Sequence, residues 1–106
     1  MPVYSIFIYD VIDPIRFSKY AKEYKEAIYS NIANFGGEVI FADDKAVFRK
    51  GKKKSMCVGI KFPSIHQATA WEYSTKNQEA KGHRLASTAN YTSFIVNGFD
   101  SLKEYA

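Results

Sequence analysis

An α+β fold, with helices on one face of a four-stranded antiparallel sheet, is what this 106-residue sequence predicts. Three observations predict it. Short runs rich in β-branched and aromatic residues recur along the chain, amphipathic stretches separate them, and glycine, proline and capping residues mark the joins. The length is that of one domain, and no linker, repeat or low-complexity stretch divides it. Hydrophobic residues at 46% and charged residues at 25% are the proportions of an ordinary globular chain and exclude a disordered one.

Residues 3–12 hold Val3, Tyr4, Ile6, Phe7, Ile8, Tyr9, Val11 and Ile12, so both alternating sets are apolar and a strand covered on both faces is expected. Asp13 then serves as an N-cap, with Pro14 in the first helical turn, where its missing N–H is not needed. Phe17, Tyr20, Ala21, Tyr24, Ile28, Ile32 and Phe35 form one apolar stripe, and Gly36-Gly37 closes the helix. A second strand is expected over 38–42, a turn at Asp43-Asp44-Lys45, and a short returning segment over 46–49 that makes a hairpin. The third strand, 55–62, places Met56, Val58, Ile60 and Phe62 on one face and ends at Pro63. Ser64 with Gln67 reads as a capping box for a helix carrying Ile65, Ala68 and Trp71. That helix is expected to break or bend near Ser74-Thr75, with a second piece over 76–86 interrupted or weakened at Gly82. The last strand is 90–96, and 100–106 is a loosely held tail. The order β-α-β-β-α-β is that of the ferredoxin-like split βαβ fold. Because its strands are apolar on both faces, the sheet face without helices needs a cover, and a second copy of the same sheet is the simplest one. A homodimer with sheets face to face is therefore expected.

The net charge of +4 comes from 15 basic and 11 acidic residues, but Arg49, Lys50, Lys52, Lys53 and Lys54 lie together; without them the balance is ten against eleven. The chain is a near-neutral domain with one basic loop. Nucleic-acid binders spread positive charge along a face that follows the phosphates, so this pattern argues against that class. No apolar run approaches the ~20 residues of a membrane span, no leader pattern is visible, and a cytoplasmic location is expected. The lone Cys57 excludes an internal disulfide and a cysteine-based zinc cluster, and reads as a buried inert thiol. Neither a phosphate-binding glycine loop nor a metal-ligand spacing is present, so no cofactor and no metal are expected.

Several positions together carry a family resemblance. Asp13-Pro14, Tyr20, Phe35-Gly36-Gly37 and Gly51, continued by Phe62-Pro63-Ser64, Ala68, Trp71, Ser74, Gln78, Arg84 and Val96-Asn97-Gly98, resemble the domain of unknown function 1330 family over nearly the whole chain. The resemblance implies the dimeric α/β barrel superfamily, in which two ferredoxin-like protomers pack their sheets into a closed barrel. That superfamily includes small monooxygenases and muconolactone-isomerase-like proteins, and the resemblance implies no particular reaction. The chain departs from the family pattern at Lys50, where an acidic residue is common, at Asn77, where a Tyr is common, and over 39–44, which lacks an Arg.

Two histidines are available for proton transfer near neutral pH. His66 falls in a first helical turn, where a solvated residue is the simpler reading; His83 precedes Arg84 near a helix end, where its charge complements the last carbonyls. Arg84 suits a carboxylate or enolate, or else a salt bridge to the sheet or a partner. Ser74 and Gln78 lie one turn apart beside Trp71, with capping as the plainer role of Ser74. Tyr4, Tyr9, Tyr20, Tyr24 and Tyr91 could line an aromatic pocket, although Tyr20 and Tyr24 stand at core spacing. The expected function is binding or conversion of a small organic, anionic molecule in a cleft between helices and sheet. Tyr20, Trp71, Ser74 and Gln78 are the ligand-binding candidates; Arg84 would hold the anion and His83 would move a proton, which makes these two the catalytic candidates. The rival is a dimeric interaction module that uses the basic loop 49–54.

Overall fold

The computed structural model describes residues 2–99; the tail expected over 100–106 lies outside the described residues. The elements run β1 (Val3–Val11), α1 (Pro14–Asn34), β2 (Glu38–Asp43), β3 (Met56–Phe62), α2 (Ile65–Glu72), α3 (Thr75–Ala86) and β4 (Thr88–Asn97). The strands form one antiparallel sheet in the order β2-β3-β1-β4. This is the expected ferredoxin-like arrangement. The sheet of the single chain is open, so a barrel needs a second chain to close it. Among the described residues no helix is long and apolar enough to cross a membrane.

The capping chemistry works as the residues suggest. Asp13 Oδ1 accepts from the Arg16 N–H at 3.0 Å, and Pro14 opens α1. At the other end Gly36, with φ +75°, donates to the Ala33 carbonyl and Gly37 donates to that of Ile32, a Schellman closure. Ser64 Oγ accepts from the Gln67 N–H and donates to Gln67 Oε1. Ser74 Oγ accepts from the Asn77 N–H and starts α3.

Three expectations are corrected. Residues 46–49 form no returning strand: β3 itself pairs with β2, from Glu38↔Lys61 to Asp43↔Cys57, and a four-residue segment between charges has little apolar face to bury. The turn before it is real, with Asp43 Oδ1 accepting from the Lys45 N–H at 2.7 Å. Gly82 does not interrupt α3, because it is exposed and touches nothing within 4 Å, so its weak propensity acts alone against a capped helix. β4 begins at Thr88, earlier than expected, because Ser87 and Thr88 stay buried and hydrogen-bond back to the Arg84 carbonyl.

The two faces of β1 differ. Val3, Phe7 and Tyr9 join Ile32, Ile60, Phe62, Ala68 and Trp71 in the core under the helices. Tyr4, Ile6 and Ile8 point the other way and are half-buried within the chain, so its own helices cover only one face. Register lines up Phe41, Gly59, Ile6 and Phe94 as one row across all four strands, with Tyr4 beside Val96 in the next row. The Phe41 ring rests on Gly59, where a Cβ would collide with it. Cys57 lies on this face as well, half-buried rather than buried. Burial raises its thiol pKa, with a smaller push from Asp43.

Candidate functional site

α1 does not lie flat on the sheet. Of its apolar stripe only Tyr20 and Ile32 are fully buried, and Ala21 and Ile28 border a cavity of about 290 Å³ between α1, α3 and the sheet. Phe7, Tyr9, Met56, Val58, Trp71 and Tyr91 form the opposite wall. The walls are almost wholly apolar, and Arg84 is the charged residue set inside them, with Lys25 at the exposed border.

Arg84 reaches this position because α3 ends where β4 begins, which turns its side chain over the aromatic rings of β1 and β4. Its guanidinium carbon stands 5.9 Å from the Phe7 ring centroid and 5.4 Å from that of Tyr91. Such distances are those of cation–π contacts. No carboxylate pairs with it: among the described residues the one ion pair is the exposed Lys19–Glu23 contact on α1. Among the described residues, therefore, no salt bridge engages Arg84. Arg84 Nε and the Tyr91 hydroxyl are both shielded and lack a hydrogen-bond partner among the described residues. Unpaired buried polar groups are rare and ask for an explanation.

The phenols around Arg84 are held neutral. Burial raises the pKa of Tyr9 and Tyr20 and pushes Tyr91 up to about 12, while the Arg84 charge pulls all three the other way, joined at Tyr20 by a hydrogen bond from the guanidinium. At neutral pH the site therefore offers hydroxyl donors beside one guanidinium. Tyr91 stacks on Tyr9 at 5.3 Å and 16°, a geometry set by the irregularity in β1–β4 pairing between Ile8 and Asp10. Asn90 takes φ +53° at that irregularity, and its Nδ2 donates to Asp10 Oδ2 at 2.9 Å. Asp10 Oδ1 accepts from the Ser55 N–H, which ties the end of the basic loop to the same place. The Asn90 bond is the main cause of a lowered Asp10 pKa; Ser55, Lys54 and Lys52 add to it against some desolvation.

The expected rim is brought together only in part. Tyr20, Trp71 and Arg84 line the cavity. Trp71 is buried and packs on Phe7 and Phe62, at 5.9 and 5.5 Å between centroids. Ser74 is consumed by structure: its Oγ donates to the Trp71 carbonyl at 2.7 Å and accepts from Asn31 Nδ2 at 2.9 Å. Gln78 is exposed, and its Nε2 donates to the Glu72 carbonyl. His83 turns outward. Its Nε2 sits 3.2 Å from the Tyr24 hydroxyl, and it borders a separate groove with Asp13, Arg16 and Glu23, on the far side of Tyr20 from the cavity. One residue along a helix is about 100° of rotation, which is why neighbours as close as His83 and Arg84 face different spaces. The residues that sequence reasoning passed over are Phe7, Met56, Val58, Ile28, Asn77 and Lys25. Strand alternation was the signal for the first three, since Phe7 pairs with Val58 on the helix-covered face.

The fold is shared with solved structures of very low sequence identity. A protein of unknown function from Rhodopseudomonas palustris superposes with TM-score 0.75 at 13% identity, covering 93% of this chain and 83% of that one. A dimeric ferredoxin-like protein of unknown function from Jannaschia sp. CCS1 gives TM-score 0.73 at 14% identity, over 92% and 100%. A dimeric protein of unknown function and ferredoxin-like fold from Bacteroides fragilis gives 0.63 at 10% identity, over 92% and 96%. No curated protein matches the chain. The family described as "Domain of unknown function (DUF1330)" matches residues 2–99, and the chain belongs to that family.

Proposed function

We propose that the protein binds a small organic anion in the cavity between α1, α3 and the sheet, and works as a homodimer. One observation carries the binding site: Arg84, half-buried and without a carboxylate partner among the described residues, lies against two aromatic rings inside a cavity of mainly apolar walls. An uncompensated cation in such surroundings is unfavourable until an anion arrives. Tyr20 and Trp71 supply the wall, Tyr9 and Tyr91 add hydroxyl donors, and Lys25 adds positive charge at the border. His83, Ser74 and Gln78 lie outside the cavity, so the reading rests on Arg84 and not on them.

The homodimer is supported by the open sheet face. Phe41, Phe94 and Val96 are 41%, 44% and 43% exposed there and stand in register with Tyr4 and Ile6, a contiguous apolar patch of the kind that marks an interface. Relatives described as dimeric share the fold.

Native mass spectrometry of the freshly purified protein tests both parts. The expected mass is twice 12.1 kDa plus a small adduct, and Arg84→Met keeps the dimer but loses the adduct. A monomer overturns the assembly, and an adduct retained by Arg84→Met overturns the site.

A further inference from the structure

The chemistry of the cavity narrows the class of anion. Its volume of about 290 Å³ stands at the small end of the roughly 300–1,000 Å³ typical of ligand sites, enough for one ring and a short substituent. A single guanidinium lies within the walls and Lys25 only at the exposed border, so the interior matches one negative charge, and a dianion seated on Arg84 would leave its second charge to a solvated lysine. Arginine holds a carboxylate bidentately in the plane of its own fork. Here the guanidinium stands over Phe7 and Tyr91, whose rings tilt 49° to one another, so a flat ring joined to the bound carboxylate would lie beside aromatic side chains. Tyr9 stacked on Tyr91, and Trp71 set edge-on to Phe7, extend the aromatic lining beyond the two rings under Arg84. Aromatic pairs gain from such stacked and edge contacts beyond the area they bury.

Resting on the anion-binding reading, we infer that the ligand is a monocarboxylate on a single flat aromatic ring, held by Arg84 and by the hydroxyl of Tyr91. That hydroxyl and Arg84 Nε belong to adjoining side chains, and neither has a hydrogen-bond partner among the described residues. One carboxylate offers acceptors to both.

Isothermal titration calorimetry on the dialysed protein separates this from the broader reading, using benzoate and cinnamate, their cyclohexyl counterparts, and benzamide. An aryl acid is expected to bind saturably, with the cyclohexyl acid weaker by about three- to tenfold. Benzamide, which has the same shape without the charge, is expected to be weaker than benzoate by about tenfold or more. Tyr91→Phe is expected to weaken the aryl acid by about tenfold, with the circular dichroism spectrum unchanged. A cyclohexyl acid that binds as tightly as its aryl counterpart, yet is lost in Arg84→Met, overturns the aromatic class and leaves the anion site standing. Undiminished binding by Tyr91→Phe removes the hydroxyl from the site. If none of the four acids binds, the inference and the reading beneath it both fall.

Discussion

The space between α1 and the sheet has two unlike ends. At one end Phe62 and Ala68 are closed against Ile32 and Trp71, which also border the cavity, with Phe62 wholly buried and Gly37 so near that a Cβ there would stand 2.6 Å from both Ile32 Cγ2 and Phe62 Cε1. At the other end Tyr20, Ala21 and Ile28 stand away from Met56, Val58 and Tyr91, and a cavity with a guanidinium fills the gap. The same helix crosses both ends. The difference teaches that this small domain keeps its tightest contact, at Phe62, and its charged group, Arg84, at different ends, with Ile32 and Trp71 shared between them, so that substitutions should sort by position rather than by residue type.

The largest effect belongs to the closed end. Phe62→Ala removes a ring with no solvent exposure and leaves a void that Trp71, Ile32 and the Gly37 turn cannot collapse into, since each is held by its own contacts. A loss of about 3–5 kcal/mol is expected, read as a lower urea midpoint at unchanged slope. A loss below about 1 kcal/mol would mean that this end is no better packed than the other.

The hollow end should behave in the opposite way. Arg84→Met keeps an apolar stem over Phe7 and Tyr91 and removes a guanidinium that has no counter-charge. The lost cation–π contacts, worth about 0.5–1 kcal/mol each when exposed, are offset by relief of an unpaired buried donor. Unfolding midpoints should therefore shift by less than the equivalent of about 1 kcal/mol in either direction, while anion binding disappears. A strongly destabilised variant would show that Arg84 is a structural strut, and would sink the contrast between the two ends.

Much of this arrangement was legible in the sequence, and the closed end more so than the hollow one. Caps at Asp13, Ser64 and Ser74, the Gly36-Gly37 stop and the alternation in β1 and β3 are local signals, and local physics decides them. The two-sided character of β1 announced that one sheet face would be left without helices. Site membership was harder to read. Ser74 and Gln78 look like a polar pair one turn apart, yet the break between α2 and α3 spends both on carbonyls of the preceding helix. His83 and Arg84 look like a catalytic pair, but helical rotation sends one to Tyr24 and the other to Tyr91. Only the tertiary placement of α3 against α1 decides such questions, and adjacency in sequence carries no information about it. The strand expected over 46–49 is missing for a related reason: β2 pairs instead with β3, a partner distant in sequence, and four residues between charges offer too little apolar face to compete.

The finest test of the contrast is alkaline titration of Tyr91. Its phenol stands at about 12 in the folded chain against 10.0 for a free tyrosine, chiefly because burial disfavours the phenolate, with Arg84 opposing. A pKa raised on folding contributes stability that is complete below pH 10 and disappears as pH climbs through about 12, since the unfolded chain ionises first. Burial raises Tyr9 in the same direction, so the native protein should lose stability steeply above pH 10. Tyr91→Phe should make that loss shallower without abolishing it, when thermal midpoints are compared at pH 8, 10 and 11. Lowered pH sensitivity in this variant, with Phe62→Ala showing the native slope from a lower starting point, would place the titrating burden at the hollow end. Equal slopes for the native chain and Tyr91→Phe would mean that water reaches this phenol freely, and that the cavity is too wet to hold Arg84 in the state argued above.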